Sequence, residues 1–141
     1  MRHLALALAV VLLAVGPVLA AEKPAGKPED AAQAAAEKWL KLVDAGDYAQ
    51  SWEQAAALLK SALTKEKWDL AVRSARRPLG KVVSRTLKSR EHTTMLPDAP
   101  AGQYVVIQFE TVFEKRPKAV ETITPMLDPD GTWRVSGYHV R

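Results

Sequence analysis

The hydrophobic period of this chain changes once, at Pro78–Gly80, and that change limits the possible folds more than any other feature. Before it, apolar residues recur three and four apart, as on one face of a helix; after it, they alternate, as on a half-buried strand. Proline and glycine at the junction stop a helix, so the two halves fold by different rules. On the helical side, Asp30 is placed as an N-cap, with Ala32, Ala35, Ala36, Trp39, Leu42 and Val43 on one face as far as about Asp44. Gly46 ends that helix. Asp47 caps a second, carrying Tyr48, Trp52, Ala55, Ala56 and Leu59 and fraying near Ser61. Thr64 caps a third to about Arg77, with Trp68, Ala71, Val72 and Ala75 inward.

On the strand side, a polar run over 81–93 suits a place near an edge, and 96–102 is loop by its Pro, Asp and Gly content. Val105, Ile107, Phe109 and Phe113 alternate with Gln108, Glu110 and Glu114 in the clearest strand. A run over 119–127 carries Pro125, which marks an edge or a bulge. Asp128-Pro129-Asp130-Gly131 makes a tight turn, and 132–140 forms a fourth strand. The expectation is an α+β fold: three N-terminal helices packed on a curved four-stranded antiparallel sheet.

The start of the chain has a different character. Met1-Arg2-His3, the apolar run Leu4–Val15, Gly16-Pro17 and the small residues before Ala21 describe a secretory signal peptide over 1–20. The apolar run is too short to cross a bilayer, which takes roughly 20 residues. Residues 21–29 read as a linker and 30–141 as one domain, with a periplasmic or secreted location. There is no cysteine, so disulfides, thiolate metal sites and a cysteine nucleophile are excluded. Stability must come from packing, led by Trp39, Trp52, Trp68 and Trp133.

Charge is unevenly spread. From Lys60 to Arg90 there are ten basic residues against Glu66 and Asp69, while the rest of the chain after residue 20 is net acidic. Such a segment either keeps a helix face solvated or meets an anionic envelope surface, for which Arg73, Arg76 and Arg77 are the candidates.

Several short motifs together resemble one small exported bacterial family, known as domain of unknown function 4019. They are Ala36-Glu37-Lys38-Trp39-Leu40, Val43-Asp44-Ala45-Gly46-Asp47-Tyr48 with Ser51-Trp52, Pro78-Leu79-Gly80, Phe109-Glu110-Thr111-Val112-Phe113, and Asp130-Gly131-Thr132-Trp133-Arg134-Val135-Ser136-Gly137-Tyr138. The resemblance implies export and an unassigned activity, and brings no catalytic residue. The order of elements is also loosely similar to the cone-shaped fold of nuclear transport factor 2. That analogy implies a concavity between sheet and helices and pairing of copies through the sheet, and it leaves function open.

Polar residues that could meet in such a concavity are Asp44, Tyr48, Arg85, Gln108, Glu110 and Tyr138, with Arg85 free to pair with Glu110 or Glu121. Asp44 is a misfit where it stands, because a helix C-terminus disfavours a carboxylate. Strands three and four carry apolar residues at both alternating sets of positions, which fits a sheet covered on both faces, as in a homodimer. No metal or cofactor is expected: past residue 20 the only histidines are His92 and His139, without ligand spacing, and no phosphate loop or nucleophile motif occurs. Asp44 with His92 is the least implausible acid–base pair, and no catalytic residue is assigned. These observations favour an exported, non-enzymatic binding or interaction module of the bacterial periplasm or envelope, taking a small ligand or an envelope protein. They give no reason to expect a nucleic-acid partner or a transmembrane segment in the processed chain. The alternative is a small cofactor-free isomerase, dehydratase or hydrolase working in a polar pocket between sheet and helices.

Overall fold

The computed structural model describes residues 26–141; the expected signal peptide and residues 21–25 of the expected linker lie outside the described residues. Helix α1 (Pro28–Asp44) begins before Asp30, so Asp30 is not its N-cap. Pro28 explains the shift. At the first helical position proline gives up an N–H that would have no partner, and its fixed φ suits the helix. Asp30 sits instead in the first turn, where the helix dipole favours a carboxylate, and accepts from Arg90 at 2.7 Å. Gly46, at φ +75°, closes the other end, letting the Asp47 N–H return to the Leu42 carbonyl at 2.9 Å.

The expected second helix is two, α2 (Tyr48–Glu53) and α3 (Ala57–Ala62), so the layer has four helices rather than three. Asp47 caps α2 through the Gln50 N–H. The break comes at Ala55–Ala56, both fully buried. The Ala56 N–H leaves the helical ladder and donates at 2.8 Å to the Val135 carbonyl on the edge strand of the sheet, covering part of that edge. Thr64 caps α4 (Lys65–Arg76), and a single 3₁₀ turn, Arg77–Leu79, leads into the sheet.

Strands β1 (Val82–Thr93), β2 (Tyr104–Phe113), β3 (Arg116–Leu127) and β4 (Trp133–Val140) are antiparallel neighbours in sequence order, an open curved sheet with the helices on one face. The doubled apolar pattern of β4 has a local cause. Thr124 pairs with Gly137 and Pro125 with Val135, so Ser136 is an extra residue that shifts the phase of the strand. Trp133 and Val135 before it, and Tyr138 and Val140 after it, all pack against buried clusters. The pattern in β4 is therefore a bulge and not the mark of a second covered face.

α1 touches all four strands. Its alanines, Ala32 and Ala36, let the backbone approach the sheet, and Trp39, Leu40 and Val43 join Leu59, Trp68, Val72, Val105, Ile107, Phe109, Ile123 and Val135 in the main core. No helix among the described residues is long and apolar enough to cross a membrane.

The β3–β4 turn is held by Arg134, which donates to Asp128 at 3.0 Å and to both oxygens of Asp130 at 2.9 and 2.8 Å. Those bonds, with the Thr132 N–H, hold the Asp130 carboxyl at about 2 against an ordinary value of 3.8. A depressed folded pKa means that its contribution to stability is present above about pH 4 and fades as the pH falls through about 2. An NMR titration should place the Asp130 midpoint near 2 in the native protein and return it toward 3.8 in Arg134→Met. A native midpoint already at 3.8 would contradict the arrangement.

Candidate functional site

Asp44, at the end of α1, lies opposite the end of α4 and the start of β1. Its unfavourable place against the helix dipole is offset by two arginines. Arg76 donates to Oδ1 at 3.0 Å, and Arg85 donates to Oδ2 at 2.9 Å and to Oδ1 at 3.1 Å. The Arg85 Nε–H also reaches Glu121 Oε1 at 2.7 Å. Arg85 faces Thr111 across the β1–β2 ladder, and the short threonine side chain leaves room for Arg85 to reach over β2 to β3. Thr111 adds its own hydroxyl, donating to Glu121 Oε1 at 2.6 Å, and the Tyr138 hydroxyl donates to Oε2 at 2.5 Å.

Glu121 has no exposed surface, and both its oxygens are taken. Two carboxylates and two guanidiniums make a neutral set, the condition under which buried charges are tolerated. Burial works against the Arg85 charge, but the bonds to Asp44 and Glu121 outweigh it and raise its pKa above the ordinary value. Burial first, then the negative charge of Glu121, pushes the Tyr138 phenol well above its usual range. Arg76 is 6% exposed and lies over the Phe113 ring at 4.9 Å, and its Nε is buried without a partner.

Of the expected pocket residues, Asp44, Arg85 and Tyr138 meet in this node. Tyr48 stands nearby under the Arg73 guanidinium, 5.2 Å away. Gln108 and Glu110 do not join it. They alternate with Ile107, Phe109 and Thr111 and so point to the other face of the sheet, where Gln108 bonds Ser89 and Thr122. His92, near the far end of β1, bonds Gln103 and has no contact with Asp44. Of the three arginines expected on an anionic surface, Arg73 and Arg77 are exposed, but Arg76 is turned inward by Asp44. Nor is the basic segment one patch: Lys65 pairs with Glu53, Arg73 with Asp69 and Arg90 with Asp30.

The node backs onto an open cleft of about 720 Å³ between the 43–48 corner, the end of α4 and the β2–β3 turn. Five cations (Arg73, Arg76, Arg77, Lys81 and Lys115) and two carboxylates (Asp44 and Glu114) line it. Asp44 and Tyr48 from the expected polar pocket, and Arg73, Arg76 and Arg77 from the expected basic surface, are among its lining residues; Arg85, Gln108, Glu110 and Tyr138 are not. Gly80 shapes its floor. There φ is +75°, and a Cβ would meet the Glu114 Cβ at 3.1 Å. The close approach is fastened by the Lys81 N–H to Glu114 Oε1 at 2.8 Å, the Glu114 N–H to the Lys81 carbonyl at 2.9 Å and the Lys115 N–H to the Leu79 carbonyl at 2.9 Å. Gly80→Ala should cost about 1–3 kcal/mol in urea unfolding. A neutral result would mean that this floor is not held as described.

Fold and site together define a small α+β domain with a sealed, charge-balanced node beneath a basic cleft. The family described as "Protein of unknown function (DUF4019)" has a model that matches residues 35–138, and the chain belongs to that family. A search of curated proteins found no match.

Proposed function

We propose that this protein is an exported, non-enzymatic binding module of the bacterial periplasm or envelope, and that its ligand occupies the cleft over the Asp44–Arg76 wall. One observation carries the reading: an open cleft of about 720 Å³ is lined by three cations, Arg77, Lys81 and Lys115, that make no ion pair among the described residues. A rigid wall behind it suits binding, because little has to be ordered when a ligand arrives. Export rests on the character of the first twenty residues.

The enzymatic alternative has its own support in the bond between Tyr138 and Glu121, a hydroxyl donor on a buried carboxylate. A general base must reach its substrate, however, and Glu121 faces protein on every side. The space between helices and sheet is filled by Trp39, Trp68 and Tyr138, with ring centroids 5.8 and 5.4 Å from Trp39.

The test is a thermal-shift screen against envelope-derived metabolites and anionic lipids, run beside Ala45→Trp. Ala45 is exposed on the cleft rim in an ordinary right-handed conformation, so a large side chain there obstructs the cleft without backbone strain. Compounds that stabilise the native protein should lose most of their effect in the variant. Stabilisation indifferent to Ala45→Trp, or turnover of any screened compound, would overturn the proposal.

A further inference from the structure

We infer that the ligand of this cleft carries a phosphate group, bound by Arg77, Lys81 and Lys115; the inference rests on the binding reading above and adds the chemistry of what is bound. It starts from which charges are already committed. Arg76 is spent on Asp44, and Arg73 is held by Asp69 at 3.2 Å and laid over the Tyr48 ring. Of the two acids only Asp44 is neutralised. Both oxygens of Asp44 accept from arginines, whereas Glu114 accepts only the Lys81 backbone N–H, through Oε1, and keeps its negative charge at the cleft. What remains facing the opening is Arg77, Lys81 and Lys115, none of which makes an ion pair among the described residues.

These three come from separate pieces of chain: the 3₁₀ turn, the residue before β1 and the β2–β3 turn. Backbone hydrogen bonds fasten those pieces together, so three like charges are gathered by the fold before any ligand arrives. Like charges repel, and a cleft with low-dielectric walls concentrates their field. With the Glu114 carboxylate the three cations leave a net charge of about +2, which a neutral sugar would leave unmatched and a monocarboxylate would only half match. A phosphate monoester carries about −1.5 to −2 charge and three strong acceptor oxygens, which fits three cationic donors. Lysine meets phosphate as a point charge, and arginine through its fork of N–H groups.

The phosphate could belong to a small soluble ester or to a lipid headgroup, and two arms separate these sources. Calorimetry at low ionic strength would measure binding of inorganic phosphate and glycerol phosphate. Sedimentation would measure binding to phosphatidylglycerol vesicles, with phosphatidylcholine as control. Binding in either arm, weakened about tenfold or more by Lys81→Gln with Lys115→Gln and unchanged by Lys88→Gln outside the cleft, supports the inference and names the source. All three lysines are exposed and make no side-chain hydrogen bond, so the variants should fold, which circular dichroism would check.

Absence of binding in both arms, or binding equally weakened by Lys88→Gln, overturns the inference. Should a neutral compound then bind in a manner lost in Ala45→Trp, only the phosphate assignment falls and the cleft reading stands. If nothing binds in the cleft, both fall.

Discussion

Glu121→Ala should lower the stability of the folded protein by about 3–5 kcal/mol, the cost typical of breaking a buried ion pair by removing one partner. The loss has several parts. The Arg85 guanidinium keeps Asp44 but loses its only inward partner, and the hydroxyls of Thr111 and Tyr138 are left in a dry site without their acceptor. Glu121→Gln retains the shape and one acceptor oxygen, so it should cost less than alanine while still leaving the Arg85 charge under-matched. A double-mutant cycle between Glu121→Gln and Tyr138→Phe should show coupling, because the two side chains share a bond of 2.5 Å. Urea unfolding at neutral pH measures all of these. An alanine variant within about 1 kcal/mol of the native protein would mean that Glu121 is not sealed in the node.

The node and the cleft stand in a clear relation. Asp44 belongs to both, with its carboxylate 27% exposed and its oxygens shared by Arg76 and Arg85. By drawing Arg76 inward it withdraws one cation from the surface and leaves the exposed positive charge at the mouth to Arg77, Lys81 and Lys115. The node fixes the wall, and the unpaired cations give the cleft its sign.

Much of this was legible in the sequence, for reasons that are local. The change of period at Pro78–Gly80 places helices before strands, and the caps at Asp47 and Thr64 act through neighbours three residues away. The Asp128–Gly131 turn also follows from local residue types. The misfit of Asp44 at a helix end was visible but its arginine partners were not, and the pairing of Arg85 with Glu121 was one of two options on the strands. What could not be read depends on distant contacts. The break between α2 and α3 follows from one backbone bond to Val135, about which the period around Ala55 and Ala56 says nothing. The inward turn of Arg76 depends on Asp44, 32 residues earlier, so a basic helix end looked like surface. The bulge at Ser136 leaves no sign beyond apolar residues at both sets of positions, and that pattern fits a covered second face equally well. Ser51, fully buried and central to the helix layer, belongs to a family motif, but neither hydrophobic period nor charge marks it as core.

That serine makes Trp39 the position where the second large effect is expected. Trp39 donates through Nε1 to the Ser51 carbonyl at 2.8 Å, Trp68 donates to the Ser51 hydroxyl at 2.9 Å, and that hydroxyl donates onward to the Tyr48 carbonyl at 2.7 Å. Trp39→Ala removes the largest side chain of α1 from the core, which typically costs about 3–5 kcal/mol, and leaves the Ser51 carbonyl without its donor. Because small domains are stable by only about 5–15 kcal/mol, this one change should bring the protein close to unfolding at room temperature. Trp39→Phe keeps most of the packing and loses the N–H, so its cost should fall to about 1–3 kcal/mol, the penalty of one unsatisfied buried acceptor. Trp133→Ala, at a half-buried ring on the margin of the core, should cost less than Trp39→Ala. The order Trp39→Ala, then Trp39→Phe, in denaturant unfolding followed by far-ultraviolet circular dichroism tests whether indole N–H groups as well as indole area hold the helix layer. If the two Trp39 variants are equally stable, the layer is held by something other than this ring, and the seat of α1 that brings Asp44 to its arginines needs a different explanation.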